Sequence, residues 1–299
     1  MRARWVTRVA VVVAVAATTG ALAPGAAGAI RPAKSAKVEV VAAFYPLAFV
    51  AERVGGKRVA VTNLTPTGAE PHDLELTPKQ RDAIDEARLV LVLGSDFQPA
   101  VEKAAATRAS GTVELLTRLP ARDPKDPHVW LDPALMQGIV DQTAKALTKA
   151  DPLGASTYAA NAARLSDELT ALDARYRAGL ADCDRSLLVT AHTAFGYLAK
   201  AFGLQQVGVS GLSPDVEPDP KRLAELSDLV ERRGVTTVFT EDLVSPRIAQ
   251  TLAREAGGLK TAVLSPLEGL TAAQQARGDD YLSVMDTNLA RIRTALGCR

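Results

Sequence analysis

The 299-residue chain holds only three histidines, and each lies where an imidazole can be offered to a ligand. His128 sits in "DPHVWLDP", residues 126–133. Pro127 fixes its own φ and drives Asp126 towards an extended conformation, while Asp132 can cap and Pro133 can start the helical stretch that follows. His72 sits in "GAEPHD", also directly after a proline, Pro71, and His192 closes the apolar run "SLLVTAH". Rigid presentation of neutral imidazole suits a first-row metal, because little has to be ordered when the ion arrives. One such histidine alone would read as a capping or hydrogen-bonding group. Three of three at comparable positions specify a metal site made of His72, His128 and His192. Imidazoles favour zinc, whereas manganese would recruit more carboxylates. Glu241, Glu268, Glu70 or a water can fill a fourth position.

Other chemistries find less support. There is no H-E-x-x-H helix and no Gly-rich loop for a phosphate or dinucleotide. Ser210 and Ser213 in "GVSGLSPD" have no adjacent base of a nucleophile motif. A net charge of +1, with acidic and basic residues interspersed, leaves no electrostatic footprint for nucleic acid or an anionic membrane surface.

The histidines must be positioned by the elements around them. Short, β-branched apolar runs at 38–44, 59–64, 89–94 and 112–116 alternate with helical segments, as do runs at 186–192, 204–210, 236–241 and 260–265. Nearly continuous apolar strands between helices read as parallel sheets covered on both faces, and so as two α/β lobes. In such sheets ligands bind beyond the carboxyl ends of the strands. His72 follows the second run, His128 the fourth and His192 ends the fifth, so all three map to those edges. Between the lobes, Tyr158, Ala162, Leu165, Leu169, Leu172, Tyr176 and Leu180 recur at steps of three or four. That spacing predicts one amphipathic helix from about Pro152 to Asp182, about 45 Å long, acting as a stiff strut across both lobes.

The first 29 residues combine a basic start, an apolar run and a small-residue tract, the pattern of an export signal. A retained membrane anchor is the competing reading, and Pro24 with the Gly/Ala tract would end such a helix early. No cysteine stands near the cleavage region for lipid attachment. The two cysteines, Cys183 and Cys298, are expected to pair as a disulfide in an exported protein.

With these residues in place, the sequence resembles the ZnuA-like zinc and manganese solute-binding proteins of ABC transporters, from Val38 to Cys298. The resemblance rests on "FYPLAFVAERVGG", "PTGAEPHDLELTP", "DPHVWLDP", "TAHTAFGYLAKAFGL" and "TEDLVSP". It implies two α/β lobes joined by a single long rigid helix, with a metal in the interlobe cleft and His72, His128 and His192 as ligands. Manganese-type members often carry glutamate in the place of His192, so this histidine points towards zinc. The family commonly supplies a fourth ligand from Asp in an "LDPL" segment, where this chain reads "LSPL" with Ser265. Three histidines plus a water or a neighbouring glutamate are therefore expected. The His-rich loop of many zinc members is missing from "RLPARDPKDPHVW", so capture by such a loop is not expected.

The resulting expectation is a signal at 1–29, a linker at 30–37, an N-terminal lobe at 38–151, a linking helix at 152–183 and a C-terminal lobe at 184–299. Functionally it is a monomeric receptor in the periplasm or extracytoplasmic cell-surface space, binding zinc as its transported substrate. Its partner would be an ABC transporter permease in the cytoplasmic membrane, and it would be neither an enzyme nor a nucleic-acid binder. The alternatives are a manganese-preferring receptor of the same type and a three-histidine zinc hydrolase using Glu241 as base.

Overall fold

The computed structural model describes residues 37–120, 123, 125–214, 216 and 218–299, together with Met1, Trp5 and Ala10. Apart from those three and Lys37, the expected signal and linker lie outside the described residues. Ala36–Arg299 cluster as one unit, and the following concerns that unit.

In chain order the first half holds β1 (Val38–Ala42), α1 (Tyr45–Gly55), β2 (Val59–Asn63), α2 (Pro78–Glu86), β3 (Leu89–Val92), α3 (Pro99–Ala106), β4 (Thr112–Glu114) and α4 (Pro133–Ala150). Then come α5 (Ala155–Gly179), β5 (Leu187–Thr190), α6 (Gly196–Ala201), β6 (Gln205–Gly208), α7 (Pro220–Arg232), β7 (Thr237–Thr240), α8 (Arg247–Glu255), β8 (Lys260–Val263), α9 (Ala272–Arg277) and α10 (Tyr281–Leu296). The strands form two parallel four-stranded sheets with equivalent orders, β2-β1-β3-β4 and β6-β5-β7-β8. Each order reverses direction once, between β1 and β3 and between β5 and β7. Those reversals open crevices at the carboxyl edges, where parallel sheets bind ligands.

All eight expected strands form, each ending one or two residues early. The residues lost from the carboxyl ends turn out of the ladder, so Ala191 and His192 lie in a loop beyond β5 rather than in the strand.

The helix between the lobes is shorter than its spacing predicts. Pro152–Gly154 form a 3₁₀ turn, and α5 runs for 25 residues, about 38 Å. Pro152 accounts for the late start, since its ring suits a first turn and it has no N–H to give. Asp151 secures this end by accepting from the Arg58 guanidinium and from the Tyr158 hydroxyl at 2.7 Å. Tyr158, Leu165, Leu169, Leu172 and Tyr176 are buried against α1, α4 and α10, at roughly 1.5–3 kcal/mol for each large apolar side chain. At the far end Tyr176 donates its hydroxyl to the carbonyl of Met285 in α10. One hydrophobic core continues from the first sheet through α5 to α10, and a smaller one, with Val189, Leu226, Val230, Val238 and Leu252, lies under α7 and α8. Cys183 and Cys298 are disulfide-bonded, fastening the last residues to the chain just beyond α5.

Candidate metal centre

Two short motifs of one kind present the histidines of the first lobe. In Asp126-Pro127-His128 the Asp126 carboxylate accepts from the His128 backbone N–H at 3.0 Å. In Glu70-Pro71-His72 the Glu70 carboxylate accepts from the His72 N–H at 2.9 Å. The proline fixes φ and has no N–H of its own, so the acid two residues before each histidine closes an Asx-like turn onto the histidine's amide.

Asp126 then does more. Its Oδ1 lies 2.7 Å from His128 Nδ1. A carboxylate only accepts, so Nδ1 carries a proton, and in the neutral ring that binds a metal Nε2 is left with its lone pair facing the interior. The second lobe repeats this pairing from a different direction. Glu241, immediately after β7, stands across the β5–β7 crevice and receives both the His192 backbone N–H, at 3.1 Å, and Nδ1, at 2.7 and 2.8 Å. Aromatic rings limit ring rotation: Phe97 stands edge-on to His72 at 4.5 Å, and Trp130 packs beside His128 at 5.2 Å.

The fourth group arrives by a strained route. Leu267, a non-glycine residue, adopts φ 57, a left-handed conformation that persists only where its surroundings impose it. Ser265 Oγ accepts from the Leu267 N–H at 3.3 Å. The Ser265 backbone is gripped on both sides by the Asn288 side chain, and the Pro266 carbonyl accepts from the Trp130 indole. This turn swings Glu268 into the interior at 1% exposure.

The outcome is a closed cluster. Glu268 Oε1 lies 3.4 Å from His72 Nε2, 3.3 Å from His128 Nε2 and 3.3 Å from His192 Nε2. One ligand atom from each of the four residues falls within 4.8 Å of every other. A tetrahedral zinc with bonds near 2.0–2.1 Å has edges of about 3.3 Å, so the three separations equal those of a zinc polyhedron. His128 Nε2, His192 Nε2 and Glu268 Oε2 are buried without a hydrogen-bond partner among the described residues, a costly state for polar atoms unless a cation meets them.

Electrostatics follow the same geometry. Burial alone would raise the Glu268 carboxyl, but His128, His192 and His72 outweigh it and hold it well below the usual carboxylate range. Burial alone would lower the His192 imidazole, yet Glu241 and then Glu268 push it up to about 10. His128 is raised likewise, with Asp126 and Glu268 overcoming desolvation.

Of the residues anticipated from sequence, His72, His128, His192 and Glu268 come together. Glu241 is engaged at the outer nitrogen of His192, and Glu70 at the His72 amide with its Oε1 3.9 Å from Nε2. Ser265 shapes the turn instead of facing the cluster. Sequence reading passed over Asp126 as a partner of His128; the signal was the acid-Pro-His tripeptide, present twice.

A family model described as "Zinc-uptake complex component A periplasmic" matches residues 40–295. The chain is similar to the zinc-binding protein AdcA of Streptococcus pyogenes, with 36% identity over 287 residues covering 86% of this chain and 56% of that protein. It is also similar to the high-affinity zinc uptake system protein ZnuA of Bacillus subtilis, with 34% identity over 285 residues covering 88% of this chain and 89% of that one. It thus spans little more than half the length of the streptococcal relative. Among solved structures, the Zn(II)-bound ZnuA-like domain of Streptococcus pneumoniae AdcA superimposes with TM-score 0.75 at 34% identity, covering 87% of this chain and 99% of that domain. The periplasmic zinc-binding protein TroA from Treponema pallidum shares the fold, with TM-score 0.78 at 22% identity over 87% of this chain and 99% of that one.

Proposed function

Since the chain belongs to the ZnuA family of zinc-uptake components, we propose that it is an extracytoplasmic solute-binding protein that captures zinc and delivers it to an ABC-type importer. His72, His128, His192 and Glu268 hold the ion, and Asp126 and Glu241 orient two of the rings. The observation that carries this reading is the set of three Nε2-to-Oε1 separations of 3.3–3.4 Å. Three imidazoles with a single carboxylate oxygen make a nitrogen-rich tetrahedron, which favours zinc over the oxygen-rich, higher-coordinate surroundings of manganese.

Receptor function is supported over hydrolysis by the fate of the two glutamates. A catalytic zinc keeps one position open for water and needs a base beside it. Here Glu268 occupies the fourth corner, and Glu241 is committed to His192 Nδ1 on the side away from the ion. Zinc is accordingly cargo, released to a permease of the cytoplasmic membrane by the protein acting as a monomer. Elemental analysis of the purified protein with competitive zinc and manganese titration tests the assignment, and His128→Ala that kept full zinc affinity would overturn it.

A further inference from the structure

The segment that presents His128 belongs to the first lobe but is seated on α6 of the second. Two contacts hold it there. The Tyr197 hydroxyl donates to the Asp123 carbonyl at 3.0 Å and accepts from the Asp123 N–H at 3.3 Å. Immediately before Tyr197, at the first residue of α6, stands Gly196. A methyl group built there would lie 2.7 Å from Asp126 Oδ2, with nothing else nearer than 3.8 Å. Gly196 has no left-handed backbone to accommodate, so glycine is required for space alone. The bare Cα is the surface against which the Asp126 carboxylate rests.

That carboxylate sets the His128 ring through its other oxygen, at 2.7 Å from Nδ1. The same helix follows His192 by four residues. α6 therefore stands behind one ligand from each lobe: directly after His192 in the chain, and through Asp126 for His128. We propose that Gly196 is a positioning residue for zinc retention, its missing side chain allowing α6 to seat Asp126 and thereby hold His128 on the ion. When the lobes part, α6 leaves Asp126 without its backing and His128 loses its fixed orientation. Lobe separation is thus converted into loss of a ligand without any change in the ligands themselves.

This inference rests on the zinc-receptor reading, and the test separates the two. Zinc-loaded full-length protein is mixed with excess EDTA in a stopped-flow instrument and the release rate is read. Gly196→Ala is expected to speed release by about 10- to 100-fold, the range for disturbing an outer partner of a metal-bound histidine. Tyr197→Phe, which removes both bonds to Asp123 without touching Asp126, speeds it in the same direction. In an Asp126→Ala background the side chain that meets the new methyl is gone, so adding Gly196→Ala is expected to cause no further acceleration; a merely structural effect of the methyl would persist. Equal release from wild type and Gly196→Ala, or the same acceleration in the Asp126→Ala background, overturns the proposal. Should Gly196→Ala fail to fold, unchanged release from Tyr197→Phe overturns it by itself. Wild-type protein that retains no zinc at all overturns the receptor reading as well.

Discussion

Trp130 and Pro266 are joined by a 2.7 Å hydrogen bond from the indole N–H to the carbonyl oxygen, each standing two residues from a cluster member, His128 and Glu268. The bond ties the two halves of the site across the cleft, and Tyr281 reinforces it by donating its hydroxyl to the Trp130 carbonyl at 2.6 Å. Trp130→Phe keeps a ring beside His128 but leaves the Pro266 carbonyl buried without its donor. A loss of about 1–3 kcal/mol is expected, read as a lower urea midpoint for metal-free protein at unchanged slope, with weaker zinc binding because the Glu268 turn is less constrained.

Among the described residues, Glu268 supplies the only carboxylate oxygen within reach of all three Nε2 atoms. Glu268→Ala is expected to weaken zinc binding by more than the roughly 100-fold upper range for loss of an outer partner, and to leave three histidines with an open corner. Competitive titration against a chelator of known strength gives the affinity; cobalt substituted for zinc reports the altered geometry through its visible absorption. An affinity equal to wild type would mean that Glu268 is not a ligand.

Glu241 acts from behind His192. Glu241→Ala frees the ring and its tautomer, and zinc affinity is expected to fall about 10- to 100-fold with all four proposed donors still present. Metal-free stability should fall as well, because the buried His192 amide and Nδ1 lose their acceptor, and an affinity change smaller than about threefold counts against an orienting role.

Much of this centre was legible from sequence because its parts are local. Proline beside His72 and His128, and an apolar run ending at His192, place all three rings at strand edges without any knowledge of packing. The alternation of eight β-branched runs with helices gave both sheets. The fourth donor was not legible among Glu70, Glu241 and Glu268, because the choice depends on contacts far apart in the chain. Glu268 enters only through the left-handed Leu267, the Asn288 clamp and the Trp130–Pro266 bond, while Glu241 is drawn off by His192. The start of α5 was missed for a smaller reason: an apolar stripe records which face is buried, but not where a proline delays the first α-helical turn.

Proton competition should appear at higher pH than an unperturbed imidazole would give. With the metal-free His192 pushed up to about 10, that ring is protonated at neutral pH and the arriving ion must displace the proton. Zinc affinity is therefore expected to rise with pH through the range 6 to 8 by about tenfold per unit for each proton released. Calorimetry in buffers of different ionisation enthalpy counts the protons; a buffer-independent heat at neutral pH would contradict the expectation. The stability linkage has the opposite sign. A raised imidazole stabilises metal-free protein fully below its unfolded value, near 6.5, and that contribution is lost as pH climbs towards about 10.

The disulfide closes a long loop, with 115 residues of sequence separation between Cys183 and Cys298. Restricting the unfolded chain to that extent is worth about 4 to 5 kcal/mol in the chain-entropy account. Replacing both cysteines by serine is expected to lower the thermal midpoint markedly while leaving zinc affinity intact, since the bridge joins the end of α10 to the end of α5, remote in the fold from the four donors.

The four donors are not equally sheltered: the side chains of His128 and His192 are 0% exposed and that of Glu268 1%, against 11% for His72. A cleft of about 330 Å³, lined by Glu70, Ala191, Ser210 and Leu243 among others, reaches the residues just before His72 and His192 in the chain. The ring of His72 is therefore both donor and door. As the most exposed of the four proposed donors, His72 is expected to be the first that an entering ion or a competing chelator reaches.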